Sequence, residues 1–174
     1  MAEFEVNVLS DHFRDVERAL KTLLDYEIYV GIPEDRTARE TAELDRRVTN
    51  AQLLFIHTNG SPINKIPPRP VIEPAIEANR DKIACFMQAS AKNVLDNDIQ
   101  QAEINMQKAG MAGQNASRAW FLDARNNWPP NSPRTAARKI AKGSTDPRPL
   151  IDTGEMRKSI TYFVNNKGAR LNYD

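Results

Sequence analysis

The residues with the clearest chemical potential are Asp152, Thr153 and Gly154, which follow the apolar pair Leu150 and Ile151. Aspartic proteases present their catalytic carboxylate in an Asp-Thr-Gly sequence of this kind. In those enzymes two aspartates share one proton, because like charges about 3 Å apart cannot both ionise. This chain holds no second Asp-Thr-Gly or Asp-Ser-Gly, and only 20 residues follow Gly154. We therefore expect no protease site here.

The same residues also fit a purely structural role. The side chains of Asp152 and Thr153 are of the type that caps nearby backbone N–H groups, and Gly154 supplies a turn before an apolar strand at Ile160 to Val164. The sequence therefore predicts that Asp152, Thr153 and Gly154 are capping and turn residues.

The other potentially reactive side chains are isolated from one another in the sequence. His57 lies at the end of a predicted helix, where satisfying a terminal carbonyl is the expected role, and Cys85 lies in a helical pattern beside Phe86, as a buried thiol does. No cluster of Cys, His, Asp or Glu has the spacing of metal ligands, and neither a G-x-S-x-G nor a glycine-rich phosphate loop is present. These patterns predict no metal site and no cofactor, and they indicate no activated nucleophile.

A second group of candidates is basic, at Arg134, Arg138, Lys139 and Lys142. Phosphate contacts need only lysine and arginine on a suitable support, so this segment could bind nucleic acid without sequence preference. An acidic protein partner or simple solvation of a loop explains the same residues. The net charge of +1 argues against a protein whose whole surface follows a phosphate backbone.

The overall composition is that of one ordinary globular domain. The chain has 174 residues, of which 40% are hydrophobic and 27% charged, and no run of 18 apolar residues that would span a membrane. The first residues lack the order of a signal peptide, and Cys85 has no partner for a disulfide, so we expect synthesis in a reducing cytoplasm.

The elements that must position these residues follow from the apolar periodicity and from 11 prolines, ten of which fall into two clusters, from Pro62 to Pro74 and from Pro129 to Pro149. The expected fold is α+β, with a small antiparallel sheet, packed helices, a long helical hairpin and extended proline-rich arms. Ser10 is expected to cap the first helix, and Asp96 and Asn97 are expected to form the corner of the hairpin. The predicted elements are a strand–helix–strand unit at 3–33, a helix at 41–58, a proline-rich arm at 61–70, helices at 71–126, a proline-rich basic arm at 128–149, a turn and strand at 150–165 and a polar tail at 166–174.

Two separated blocks of the sequence resemble one known family. The first block runs from Asn50 to Ile76, where a helix ending in Asn-Gly precedes Ile66-Pro67-Pro68-Arg69-Pro70-Val71. The second runs from Asn131 to Ile160 and contains Pro149-Leu150-Ile151-Asp152-Thr153-Gly154-Glu155-Met156. Their order and spacing are similar to those of the neck, tail-completion or virion morphogenesis proteins of tailed bacteriophages. In that family an aromatic residue is usual where this chain has Val71.

The resemblance implies a non-enzymatic virion protein at the head-to-tail junction, made in the cytoplasm of the bacterial host. It implies a homo-oligomeric ring, sixfold or twelvefold, that surrounds the DNA channel and contacts head connector and tail terminator or tube proteins. The proline-rich segments would be the arms that contact neighbours, with Pro67, Pro68, Arg69, Pro70, Trp128, Pro129 and Pro130 as candidates. A salt bridge of Arg69 would fix the first arm, and the basic residues would face a neighbouring ring or packaged DNA.

Overall fold

The structure is a computed structural model that describes residues 7–33 and 48–167. Within these residues the fold is α+β, as predicted, with seven α-helices and one two-stranded antiparallel sheet. The helices are α1 (Asn7–Leu24), α2 (Asn50–Asn59), α3 (Ile72–Glu77), α4 (Arg80–Leu95), α5 (Ile99–Trp120), α6 (Pro133–Ala141) and α7 (Glu155–Ser159). The strands are β1 (Tyr26–Gly31) and β2 (Thr161–Asn166).

The chain divides into two compact units, each built from separated segments. The first unit comprises Met1–Tyr29, Arg80–Ala112 and Tyr162–Asp174, and the second comprises Val30–Asn79 and Gly113–Thr161. Each unit has its own cluster of buried apolar side chains.

The first unit is organised by the predicted helical hairpin of α4 and α5. The predicted corner at Asp96 and Asn97 is confirmed, and Asn97 adopts a positive φ of 59° there. The small side chain of Ala102, fully buried, packs with Val94 and with Ala19 of α1. Ser90 Oγ donates to the Ala102 carbonyl oxygen at 2.8 Å, which joins the two helices of the hairpin through a polar contact inside the pair.

The second unit has a core of large apolar side chains around α2, α3 and the end of α5. Leu54, Val71, Trp120, Phe121 and Ile160 are each at most 9% exposed and pack together. Burying such side chains contributes about 1.5–3 kcal/mol each relative to exposure. The core therefore joins Val71, at the start of α3, to Ile160, at the end of α7.

Three predicted helix boundaries differ from the structure. A strand was expected at 3–8, but Asn7 and Val8 belong to α1, whereas Phe4 and Val6 lie outside the described residues. Ser10 is inside α1 rather than at its cap, because extending a formed helix gains one hydrogen bond per residue. The helix expected at 41–58 begins at Asn50, since Thr49 accepts from Gln52 N and forms a capping box; residues 41–47 lie outside the described part.

The helices expected at 71–126 are interrupted twice. The first break separates α3 from α4, where Asn79 Nδ2 donates to the Ala75 carbonyl at 2.8 Å and ends the first helix. The second break follows Trp120, and the Asp123 side chain then caps a 3₁₀ turn at Ala124–Asn126. Side-chain competition for backbone groups explains both breaks.

The basic arm expected at 128–149 contains a helix, so its description as an extended segment is wrong for 133–141. Ser132 Oγ accepts from Thr135 N at 3.2 Å, and Pro133 occupies the first turn of α6. Proline is favoured there because its missing N–H would have no partner in any case. The turn and strand at 150–165 are confirmed as α7 and β2, whereas the tail expected at 166–174 begins with Asn166 still in β2, and residues beyond Lys167 lie outside the described part.

Candidate functional site

Arg69 joins the two proline-rich segments inside the second unit. Its side chain is only 6% exposed. The guanidinium donates from Nε and Nη2 to the Pro129 carbonyl oxygen at 3.0 and 2.9 Å, and from Nη2 to that of Pro130 at 3.0 Å. The rigid, planar fork of arginine suits such paired acceptors. The predicted salt bridge of Arg69 is thus replaced, among the described residues, by contacts with main-chain carbonyls.

Trp128 makes the reciprocal connection between the same segments. Its Nε1 donates to the Pro70 carbonyl oxygen at 3.0 Å, and its ring meets Phe121 edge to face, with centroids 5.8 Å apart. Pro67, Pro68 and Pro70 lie in a segment that is neither helix nor strand. Residues 62–65 form a turn closed by the pairing of Ser61 with Ile66, so the extended arm predicted at 61–70 is wrong for that part. Both proline-rich segments therefore pack on their own chain at this point.

Lys139 has a role that the sequence did not indicate. It is 9% exposed, and its Nζ donates to the carbonyl oxygens of Arg148, at 2.7 Å, and Ile151. These contacts hold the loop at 148–151, in which Leu150 adopts a positive φ of 59°. Lys139 is therefore a structural cation of the loop, and its hydrogen bonds are directed inward rather than to an external partner.

Asp152, Thr153 and Gly154 form a turn, as predicted, but only Thr153 and Gly154 have the roles expected of them. Thr153 Oγ1 accepts from Glu155 N at 3.4 Å, and Gly154 adopts a positive φ of 79° at the start of α7. The Asp152 carboxylate is exposed and caps no backbone N–H of the described residues. The capping role predicted for Asp152 is therefore wrong, because the shorter Thr153 side chain, next to the turn, takes that position.

These segments surround a cleft of about 330 Å³ in the second unit, which we call the basic cleft. Its walls come from α2, the segment around Arg69, α6 and the 150–156 loop. Its cationic side chains are Arg69, Arg138, Lys139 and Lys142, its carboxylates are Asp152 and Glu155, and its apolar part includes Leu53, Leu150 and Met156. Among the predicted basic residues, Arg134 is exposed and does not line the cleft.

The two cations at the mouth of the basic cleft are available for an external ligand. Arg138 and Lys142 are exposed and make no ion pair with a carboxylate in the described residues. Arg148, by contrast, pairs with Asp146 through contacts of 2.6–3.0 Å, and this pairing lowers the pKa of Asp146 to about 2. The charge of Arg148 is therefore already balanced.

His57 lies in the wall of the basic cleft in a neutral state. Burial lowers its pKa from the ordinary value, and the positive charge of Arg69 lowers it further. Its Nδ1 is buried without a hydrogen-bond partner among the described residues, so the predicted contact with a terminal carbonyl is not made by that atom. A neutral imidazole beside a cation offers one donor and one acceptor.

Two further sequence predictions concern metal and thiol chemistry. No group of three or more His, Cys, Asp or Glu side chains that could hold a metal ion occurs in the ranges 7–33 and 48–167. Cys85 is exposed rather than buried as expected, and it is outside the residues that line the basic cleft. The side chains that line the basic cleft are cationic, anionic and apolar.

Sequence reasoning found the cations of this site but not its apolar and neutral members. Leu53 and His57 come from α2, about 80 residues before Arg138, and only the fold brings them together. The one sequence signal was the order of the two blocks, because the cleft takes residues from both.

Comparison of the chain with family models, with curated proteins and with solved structures gives no match. None of the helices in the described residues has the length and apolar character needed to cross a membrane.

Proposed function

We propose that this chain is a structural protein of a tailed-bacteriophage virion, at the junction between head and tail. The observation that carries the proposal is that both blocks with the family resemblance, Asn50 to Ile76 and Asn131 to Ile160, lie within the second unit. Contacts between the two blocks, or between residues beside them, hold that unit together.

Two of these contacts were named at the proline-rich segments, and a third joins the blocks at their far ends. Asn50, 1% exposed, donates from Nδ2 to Ser159 Oγ at 2.9 Å, so α2 is fixed to α7. A chance similarity of two short motifs would not require them to pack on each other. Their packing in one core supports the interpretation that they form one recognisable module.

The proposed role is non-enzymatic and depends on assembly. The protein would form a homo-oligomeric ring around the DNA channel and contact the head connector and the tail terminator or tube proteins, with the virion as its final location. Since Arg69 and Trp128 act within the chain, the contacts with neighbours would fall to exposed parts of the same segments. One such part is the turn at Pro62–Lys65, where the Ile63 side chain is 95% exposed.

Electron microscopy of virions with a tagged copy of the protein tests this proposal. We expect the tag at the neck, in a ring, and expect particles made without the protein to have heads and tails that remain unjoined. Its location in the capsid lattice, or its absence from virions, would contradict the proposal.

A second candidate function is binding of DNA without sequence preference, favoured by the exposure of Arg134, Arg138 and Lys142 around α6. Because Lys139 is committed to carbonyls, at most these three cations of the predicted set can neutralise phosphates. A plot of the logarithm of the association constant for duplex DNA against the logarithm of the salt concentration should then have a slope of about −2.7. Gel-shift titrations at several salt concentrations measure this slope, and binding that ignores salt would exclude this function.

A further inference from the structure

The basic cleft combines features that point to a specific kind of partner. Its two exposed cations are Arg138, in the last turn of α6, and Lys142, the residue directly after that helix. The helix is fixed because Lys139 donates to carbonyl oxygens of the 148–151 loop. The backbone that carries these cations is thus fixed, so their binding costs side-chain freedom but little backbone freedom.

The size of the basic cleft restricts what can enter it. A volume of about 330 Å³ is at the small end of the range of about 300–1,000 Å³ for ligand pockets. It accommodates a few side chains of an extended segment, whereas a nucleic-acid duplex could contact only the mouth. The bound group must therefore be narrow.

The charge pattern also distinguishes between narrow ligands. Asp152 and Glu155 lie in the same walls as the cations, so the lining is of mixed sign. A nucleic-acid strand carries a negative charge at every nucleotide and would bring phosphates against the exposed Asp152 carboxylate. A peptide can instead place an acidic side chain at the cations and an uncharged residue beside the carboxylates.

The remaining wall of the basic cleft supplies an apolar contact. Leu53, Leu150 and Met156 line it, and methionine adapts to side chains of different shapes. His57 adds a neutral polar group, which suits a main-chain amide better than a phosphate. An acidic residue followed by an apolar residue matches the arrangement of the walls.

We propose that the basic cleft docks an extended acidic segment, containing apolar residues, of a different protein of the assembly. The inference rests on the proposed function for the origin of this segment, but its chemistry follows from the cleft. Arg138 and Lys142 bind the acidic side chains, and the wall of Leu53, Leu150 and Met156 receives an apolar one.

Fluorescence anisotropy with short labelled peptides tests this docking on the full chain. The probes are a peptide of Glu and Leu residues, its isosteric Gln and Leu counterpart, and a single-stranded oligonucleotide of similar length. We expect the acidic peptide to bind best and the double variant Arg138→Glu with Lys142→Glu to weaken it by at least about tenfold. The control is Arg134→Glu, which reverses one charge on the same helix outside the cleft and should leave peptide affinity within about twofold. The single variant Arg138→Glu makes the same change of charge inside the cleft and should weaken binding by about threefold or more.

Three results would overturn the inference. These are equal binding of the Gln and acidic peptides, preference for the oligonucleotide, or equal losses in Arg134→Glu and in the double variant. Size-exclusion chromatography is the companion measurement, because a loss of self-association in the double variant would assign the cleft to a second copy instead. Peptide binding without a ring at the neck would refute the proposed function alone, and a ring at the neck without peptide binding would refute the docking alone.

Discussion

Arg69 is the residue on which the union of the two proline-rich segments depends. Replacing it with lysine keeps the charge but offers one ammonium in place of a planar fork, so the Pro129 and Pro130 carbonyls cannot both keep their present donors. We expect Arg69→Lys to lower the free energy of unfolding by about 1–3 kcal/mol in urea titrations. Arg134→Lys, at an exposed position, should change it by less than about 0.5 kcal/mol. Equal effects of the two substitutions would show that the carbonyl contacts contribute nothing.

The lowered pKa of His57 should make the free energy of unfolding depend on pH in the mildly acidic range. Its pKa is lowered by burial and by Arg69, so the unfolded chain binds its proton more readily than the folded one. Stability from this residue is therefore complete above the unfolded value of about 6.5 and is lost as the pH falls through that value toward the folded pKa. We expect thermal unfolding of His57→Gln to lack this loss between about pH 7 and pH 5.

Asp123 and Asp146 affect the free energy of unfolding only at lower pH, so their titration does not overlap with that of His57. The pKa of Asp123 and of Asp146 is lowered to about 2 by hydrogen bonds from Arg125 and Arg148. Their contribution is lost only as the pH falls from about 4 toward 2. A His57→Gln profile that still declines above pH 5 like that of the unaltered protein would contradict the assignment.

At the scale of elements, the Asp-Thr-Gly turn predicts a definite order of sensitivity. Gly154→Ala forces an L-residue into a positive φ of 79° and should cost about 1–2 kcal/mol of unfolding free energy. Thr153→Ala removes a long cap contact and should cost about 0.5 kcal/mol, whereas Asp152→Ala should change stability by less than that. Chemical denaturation of the three variants measures the order, and Asp152→Ala as the most harmful change would restore a central role for that carboxylate.

Gly110 gives a prediction for the first unit, because its close contact there is with Tyr162. A Cβ added at Gly110 would overlap the Tyr162 ring, so α5 needs glycine opposite β2. Alanine is favoured over glycine in a helix interior by about 1 kcal/mol, but overpacking costs about 1–3 kcal/mol, and we expect Gly110→Ala to be destabilising on balance. In a Tyr162→Ala background the same change should become stabilising. A double-mutant cycle from urea titrations measures this coupling between positions 110 and 162, and a coupling energy of zero would contradict the predicted contact.

The elements also show how far the sequence could predict this fold. The α+β class, the corner at Asn97 and the turn at Gly154 followed from local patterns, since each depends on neighbouring residues. The helix α6 was not predicted, although Ser132 and Pro133 are residues that favour the start of a helix. The cluster of prolines from Pro129 to Pro149 favours an extended segment, and only the placement of Pro133 in a first turn makes it compatible with a helix. The carbonyl partners of Arg69 and the inward contacts of Lys139 are tertiary, and no local pattern specifies them.

At the scale of the whole molecule, the candidate site belongs to the second unit alone. Every residue that carries the family resemblance lies in the second unit, together with the basic cleft. The first unit contributes none of these residues, although it contains most of the long hairpin. Assembly and folding should therefore be separable by substitutions at exposed positions of the second unit.

Ile63 provides the sharpest test of that separation. Its side chain is 95% exposed on the turn at Pro62–Lys65, so Ile63→Ser should change the free energy of unfolding by less than about 0.5 kcal/mol. If the turn contacts a neighbouring copy, the same substitution removes buried apolar surface from every contact of the ring, and such losses repeat around a closed symmetry. We expect Ile63→Ser to reduce ring formation in size-exclusion chromatography with light scattering and to reduce incorporation into virions. Leu24→Ser, at a 78% exposed position at the end of α1 in the first unit, is the control and should assemble normally. Normal rings from Ile63→Ser would remove this turn from the proposed contacts, whereas a defect in both variants would indicate that exposed apolar surface matters without regard to its location.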